Sequence, residues 1–419
     1  MDFCRKNLKS LVLERSDNLR ATGAAIAIFT NGWRALDQLG IGELLREKAV
    51  PLKAYVCYCN ALRSSLNVYA DYTASQTDHP SSFTAIPMYM SSVREIYMDD
   101  GVEETIPNGK DELRCVKRSD LIKALAGGLP PETIRFGCQV FHVDTDPESS
   151  NHVLHLNDGS TIIAKVVIGC DGVNSIIAEK LQLKAPRIFS TSRARGYTYY
   201  PNGHPFHNEF VRMRKNHVLL GRLPVDDRLV YWFVGRPWLP EDRENRSDPK
   251  DIIETTLKAL RHFPTEDIEM VKNTDVRSIN LTRLRYRAPW EVLIKGLHKG
   301  TMTVAGDAMH AMIPYLGQGG SAALEDAVVL ARCVAQEMDI GPDGSMILKK
   351  HKLQKRVETA FGAFVRERRW RLWSLLAQTF LEESRVQTKS PFKKFVFVCL
   401  LKVLFGDPLG HAQYDCGSL

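Results

Sequence analysis

No stretch of this 419-residue sequence stays apolar for the roughly 20 residues that a bilayer-crossing helix takes, and its start carries no apolar secretory leader. The nine cysteines, at 4, 57, 59, 115, 138, 170, 333, 399 and 416, are odd in number and irregularly spaced. Cys57 and Cys59 stand one residue apart, which matches neither a redox CxxC nor a zinc-ligand pair, so no metal site is expected. Such usage points to a reducing, intracellular setting, cytoplasmic or plastid. Concentrated charge is missing as well: 56 basic and 49 acidic residues leave a net +7, and the basic ones are scattered, which argues against nucleic acid as a partner. Internal repeats and low-complexity segments are absent. What remains, 44% hydrophobic and 25% charged, is the composition of a globular chain long enough for two domains or one large interrupted one.

The positive signal centres on residues 301–335, TMTVAGDAMHAMIPYLGQGGSAALEDAVVLARCVA. This reads as a buried strand, a Gly306-Asp307 turn, a loop closed by Pro314, and a glycine cluster that opens a helix. Gly317, Gly319 and Gly320 remove side chains where the backbone enters that helix, leaving its first N–H groups open to a ligand. Those groups and the helix dipole favour an anion, while Asp307 is an acceptor suited to a polyol hydroxyl. Anion on one side and polyol on the other describe a nucleotide cofactor. Taken singly, each residue is also ordinary turn chemistry.

Two more strand ends follow the same logic. Leu11, Val12 and Leu13 form a short buried strand closed by Glu14 and Arg15, and an acidic residue there is where a dinucleotide fold binds the adenosine ribose. Residues 165–170, KVVIGC, form a buried strand ending in Asp171-Gly172, where open α/β sheets place ligands; the plain alternative is a strand-to-helix turn capped by Asn174 or Ser175. Arg118 precedes a helix that Ser119 or Asp120 would cap, and Arg20 lies with Gly23 in a loop after the first strand.

The ordered series strand-GD-x(6)-P-x(2)-GQGG-helix, with Glu14, Arg118 and Asp171-Gly172 upstream, resembles the FAD-dependent aromatic hydroxylase family. That family includes p-hydroxybenzoate hydroxylase, salicylate hydroxylase and zeaxanthin epoxidase, and the sequence is most similar to its plant FAD-dependent monooxygenases. The resemblance implies an α/β fold in which a Rossmann-like FAD-binding domain (residues 1–50, 114–190 and 281–335) is interleaved with an antiparallel β-sheet substrate domain (51–113 and 191–280). A C-terminal helical region (336–419) follows. It also implies a reaction in which NADPH or NADH reduces FAD and O2 then gives a flavin hydroperoxide that hydroxylates or epoxidises a small apolar or aromatic compound. The cofactor contacts it carries over are Glu14, Arg15, Arg20, Arg118, Asp171, Gly172, Gly306, Asp307, Pro314, Gly317, Gln318, Gly319 and Gly320. No catalytic side chain is assigned; His310 reads either as a loop base or as loop packing.

The sequence departs from the family at one point. The family's first strand, GxGxxG turn and helix, which hold the pyrophosphate, are absent, and the expectation is a truncated product. A catalytically inactive or FAD-binding relative, and a flavin reductase or dehydrogenase that inserts no oxygen, are therefore the alternatives.

Elsewhere the sequence predicts strands near 51–113 with a turn at Asp99-Asp100-Gly101, then at 196–200, 210–214, 218–223 and 229–234 with a turn at Asp226-Asp227, and a helix over 249–261. Tyr197, Tyr199, Tyr231, Trp232 and Phe233 either line a substrate cavity or fill the core. Residues 346–379 predict a long helix whose Arg366-Glu367-Arg368-Arg369 run reads as a solvated face. The apolar stretch 395–405, interrupted by Lys402 and preceded by Lys393-Lys394, reads first as a packed C-terminal helix and second as a peripheral membrane contact.

Overall fold

The computed structural model describes residues 10–19, 25–52, 92–98, 102–107, 112–243, 248–338, 350–388, 390–405 and 410–419. Arg20, the 53–91 segment and the Asp99-Asp100-Gly101 turn lie outside the described residues.

The Leu-Val-Leu run forms β1 (Val12–Leu13). β2 (Ala25–Phe29) runs directly into α1 (Thr30–Gln38), and Gly40 at φ +69° ends that helix ahead of α2 (Gly42–Arg46). β3 (Val50–Pro51), β4 (Ser92–Tyr97), β5 (Val102–Pro107) and β6 (Leu113–Lys117) follow. α3 (Arg118–Gly127) starts without a turn, so extended Lys117 occupies the cap position and neither Ser119 nor Asp120 caps it. Asp120 instead sits in the first turn, where its charge complements the dipole.

Next come β7 (Ile134–Arg135), β8 (Val140–Thr145), and the hairpin of β9 (His152–Leu156) and β10 (Thr161–Ala164), whose Asp-Gly turn puts Gly159 at φ +82°. β11 (Val167–Gly169) leads to α4 (Ile176–Lys180), capped by Ser175. The long strands β12 (Arg187–Tyr199), β13 (Phe210–Lys215), β14 (Val218–Asp226) and β15 (Leu229–Pro237) precede α5 (Pro249–Ala259), α6 (Thr265–Lys272), β16 (Asn280–Tyr286) and α7 (Pro289–Ile294). The chain closes with β17 (His298–Lys299), β18 (Met302–Val304), α8 (Asp307–His310), α9 (Gly319–Glu337), α10 (Lys350–Gln387) and α11 (Pro391–Leu404).

β1 pairs in parallel with β7, and β11 pairs in parallel with β18, which β17 flanks on its other side. Among the described residues β1 and β11 therefore each pair along one edge only. A larger sheet has the order β16-β12-β15-β14-β13-β4-β5 and is antiparallel except where β13 meets β4.

The two-residue period of that sheet divides its side chains between two layers. Val230, Trp232 and Val234 of β15 pack with Leu220, Val211 and Met213 beneath α5 and α6, against Ile252, Leu260, Phe263 and Met270. Tyr231 and Phe233 turn the other way, toward Phe29, Leu113 and Cys115. Trp232 is thus back-face core, and Tyr199 stands exposed at its strand end. Tyr197 lies on the same front face as Tyr231 and Phe233 and packs against that cluster. Gly221, two strands from Arg195 in the ladder, makes room for the Phe233 ring: a Cβ there would lie 2.1 Å from the ring.

One expectation for the C-terminal helices needs correction. Arg368 is fully buried rather than solvated, because it meets buried carboxylates on α9. α11 does pack on α10, but through a narrow seam: Leu401 is buried, Phe397 and Val398 are half-buried, and its other apolar side chains are exposed.

Candidate cofactor and substrate site

Parallel pairing sets the geometry of the site. Gly169 of β11 lies opposite Val304 of β18, so Asp171 and Gly306, each two residues further on, emerge side by side at the carboxyl ends of the two strands. Gly306 adopts φ +60° and ψ −145°, a backbone state that side chains resist, and it swings the chain into α8 with Asp307 exposed at its first position. Gly172, at φ +79°, has open space where a Cβ would stand. The Asp171 carboxylate is exposed and accepts the Ile176 amide at 2.8 Å, so it also caps α4.

The loop of residues 311–318 returns the chain to α9. Gly317, at φ +66°, lies against the Phe29 ring, and α9 then begins with Gly319 and an exposed, side-chain-free Gly320. No side chain caps this helix of 19 residues, leaving its first-turn N–H groups available. Gln318 departs from the pattern, because its side chain is buried and accepts from Asn31 Nδ2 at 2.8 Å. Only its backbone faces the helix entrance. Pro314 is exposed, and its carbonyl accepts from Arg193 at 3.3 Å.

Behind the loop lies a buried polar network that spacing in the sequence did not reveal. One Asp326 oxygen accepts from the Gly306 amide at 2.8 Å and meets His310 Nε2 at 2.6 Å; the other accepts from Arg368 Nε at 2.7 Å. Arg368 also reaches Glu325 at 2.7 Å, and Glu325 in turn holds Arg371 at 2.9 Å and Asn31 at 2.6 Å. Burial would raise the Asp326 carboxyl, but His310 and Arg368 outweigh it and hold it at about 2. Burial likewise opposes the Glu325 charge and is overcome by Arg368 and Arg371. His310 is fully buried in this network, an arrangement of a packing residue and not of a base facing a ligand. The visible clue was Glu325-Asp326 inside an otherwise apolar helix. Their partner, 42 residues away from Asp326, was not readable.

The remaining carried-over residues are less closely joined. Glu14 ends β1 and accepts the Ser16 amide at 2.8 Å, Arg15 is exposed, and Arg118 stands exposed at the start of α3. The described contacts bring Asp171, Gly172, Gly306, Asp307 and residues 317–320 to one place, and do not link Glu14, Arg15 or Arg118 to it.

Facing the loop is the front of the large sheet. Register places Arg195 opposite Phe233 and Tyr197 opposite Tyr231, with Arg193 opposite Gly235. Arg193 lies over the Phe233 ring at 4.6 Å and has no ion-pair partner among the described residues. Burial, with Arg212 and Arg195 nearby, pulls its guanidinium down to about 10. Burial also pushes the Tyr231 hydroxyl up, against the pull of Arg195 and Arg193.

A glycine-opened helix without a cap, two exposed carboxylates at adjacent strand ends and an apolar, arginine-edged sheet opposite fit a cofactor with an anionic edge and a chain of hydroxyls. The class is that of flavin-binding α/β proteins. The chain matches the FAD binding domain family over residues 4–348 and belongs to it. It is 42% identical to Monooxygenase 1 of Arabidopsis thaliana over 417 residues, covering 99% of this chain and 94% of that protein. Monooxygenase 2 of the same plant is 32% identical over 422 residues, covering 99% and 93%. Both relatives are monooxygenases by name, and with its FAD binding domain this chain is an FAD-dependent monooxygenase. The fold agrees with Klebsiella pneumoniae HpxO, solved with FAD and uric acid, at a TM-score of 0.68 and 17% identity over 98% of this chain and 94% of that one. It agrees equally with 2,6-dihydroxypyridine-3-hydroxylase from Arthrobacter nicotinovorans, at 0.68 and 15% identity, over 93% and 90%.

Proposed function

We propose that this chain uses NADPH or NADH and O2 to insert one oxygen atom into a small aromatic compound that carries an acidic group. The observation that carries the reading is the sheet face of Arg193, Arg195, Tyr197, Tyr231 and Phe233 opposite the 311–318 loop. Bound FAD supplies the electron transfer and oxygen chemistry, as cofactors do in such enzymes. The protein's part is to bind, orient and keep water out.

On this reading the first-turn N–H groups of α9, with Gly319 and Gly320 bare of side chains, hold the negative edge of the flavin ring. Asp307, Asp171, Gly172, Gly306 and Gly317 line the path of the ribityl chain and phosphates, with Pro314 and the Gln318 backbone closing the loop. Glu14 and Arg15 take the adenosine ribose, and Arg20 and Arg118 contribute to the cofactor's polar end. Phe233 and Tyr231 give an aromatic ring its apolar wall, and Arg193, without an ion-pair partner, offers a planar guanidinium to a carboxylate or phenolate.

The test is turnover under 18O2 with NADPH and FAD on a panel of aromatic acids and their neutral analogues, with product mass as the readout. A product heavier by one labelled oxygen from an acid, and little from its neutral analogue, is expected. NADPH oxidation that yields only hydrogen peroxide with every compound would overturn the reading.

A further inference from the structure

α11, PFKKFVFVCLLKVL, is apolar enough to be a core helix, yet eleven of its fourteen residues are exposed outright, Phe397 and Val398 are half-buried and Leu401 alone is buried. Phe392 is 74% exposed, Phe395 65% and Val403 82%. Isolated exposed apolar residues need no explanation, but a run of them along one helix does. At 100° per residue, Phe395, Cys399, Phe392, Val403, Val396 and Leu400 share one outward arc of roughly 140°. Lys402 borders that arc on one side and Lys393 on the other. The opposite side rests on α10 through Leu401 and through Phe405, whose ring lies 6.4 Å from Trp373.

We infer that α11 docks this protein on an anionic lipid surface. The helix has 14 residues, about 21 Å, which is shorter than the roughly 30 Å hydrocarbon core, and no helix among the described residues is long and apolar enough to cross a membrane. An apolar arc bordered by lysines suits a helix lying flat: the arc enters the acyl boundary and the lysines reach the headgroups. The helix has three lysines and no acidic residue, and the whole chain is net positive, which complements an anionic leaflet rather than a neutral one. The surface continues onto α10, where Trp370 is 65% exposed and edge-on to Trp373, and an exposed indole is at home at the headgroup level. A second copy of this chain would bring the same lysines face to face, so charge disfavours that occupant.

Flotation of the purified chain with lipid vesicles in a sucrose gradient tests the inference, since aggregated protein does not float. The chain is expected to rise with vesicles of phosphatidylcholine mixed with phosphatidylserine, and at least about tenfold less with phosphatidylcholine alone. The triple change K393Q, K394Q and K402Q should reduce flotation about tenfold, and the double change F395S and V403S by at least as much. All five side chains are exposed, so circular dichroism and flavin retention should be unchanged in both variants. Absence from the floating fraction, flotation insensitive to both sets of changes, or a dimer in sedimentation velocity that F395S and V403S dissolve would each overturn the inference; the last would make α11 a contact between copies.

Discussion

Asp326 accepts the amide of Gly306 at 2.8 Å from twenty residues further along the chain. A single buried carboxylate thereby links the turn after β18 to the helix that opens with Gly319 and Gly320. Its second oxygen takes Arg368 of α10 at 2.7 Å, so three elements meet on one side chain. Charge in a fully buried place is stable only while every partner is present.

Replacing Asp326 with Asn should therefore cost about 3 kcal/mol or more, because Arg368 keeps its charge and loses a partner. Urea denaturation reads the loss, and flavin co-elution should weaken with it as the Gly306 turn loosens. A midpoint within error of the parent chain would show that the network is not coupled to stability.

The same carboxylate gives a pH signature. Asp326 is held at about 2 in the folded chain against an ordinary 3.8, so its contribution is complete above about pH 4 and is lost as pH falls toward 2. Glu325 is lowered too and acts with the same sign. The Asp326 shift corresponds to about 2 kcal/mol. Denaturation midpoints at pH 6 and pH 3 should differ more in the parent than in Asp326→Asn.

Gly320→Asp separates binding from folding. The position is exposed, its φ is not in the left-handed region, and the nearest atom to a Cβ is 3.8 Å away. An aspartate in the first turn of α9 should leave stability within about 0.5 kcal/mol or raise it slightly. If the flavin binds as proposed, the aspartate should also place negative charge beside the flavin's own, cutting FAD affinity roughly tenfold or more. Retained flavin absorbance after desalting would place the cofactor elsewhere.

Gly221→Ala should displace the Phe233 ring, since a Cβ there would lie 2.1 Å from it. Overpacking of this kind costs about 1–3 kcal/mol. Because Phe233 also carries Arg193 on its face, KM for an acidic aromatic substrate should rise with kcat less affected. Steady-state kinetics beside a melting curve distinguishes this from general loss of fold.

Much of this was legible in the sequence because it depends on short-range chemistry. Glycines at positive φ, the Asp-Gly hairpin at 158–159 and the period-2 strands of the large sheet each announce themselves within a few residues. The helix break at Gly40 and the Ser175 cap are of the same kind. What escaped is long-range. Arg368 reads as a solvated cation because its neighbours are charged, and only the packing of α10 on α9 reveals the buried carboxylates that neutralise it. Gln318 looked like a ligand contact until Asn31, 287 residues away, drew its side chain inward. Trp232 shares a run with Tyr231 and Phe233, and alternation alone, without knowledge of which face is which, could not place it.

Arg368 also bears on how this protein can vary. The family segment ends at residue 348, yet the cation that neutralises its Glu325 and Asp326 is supplied from beyond that point. Recombination that exchanged the downstream helix for one without Arg368 and Arg371 would leave Glu325 without a cation and Asp326 with His310 alone, both in the interior. Substitution in either stretch is therefore constrained physically by the charge that the other supplies.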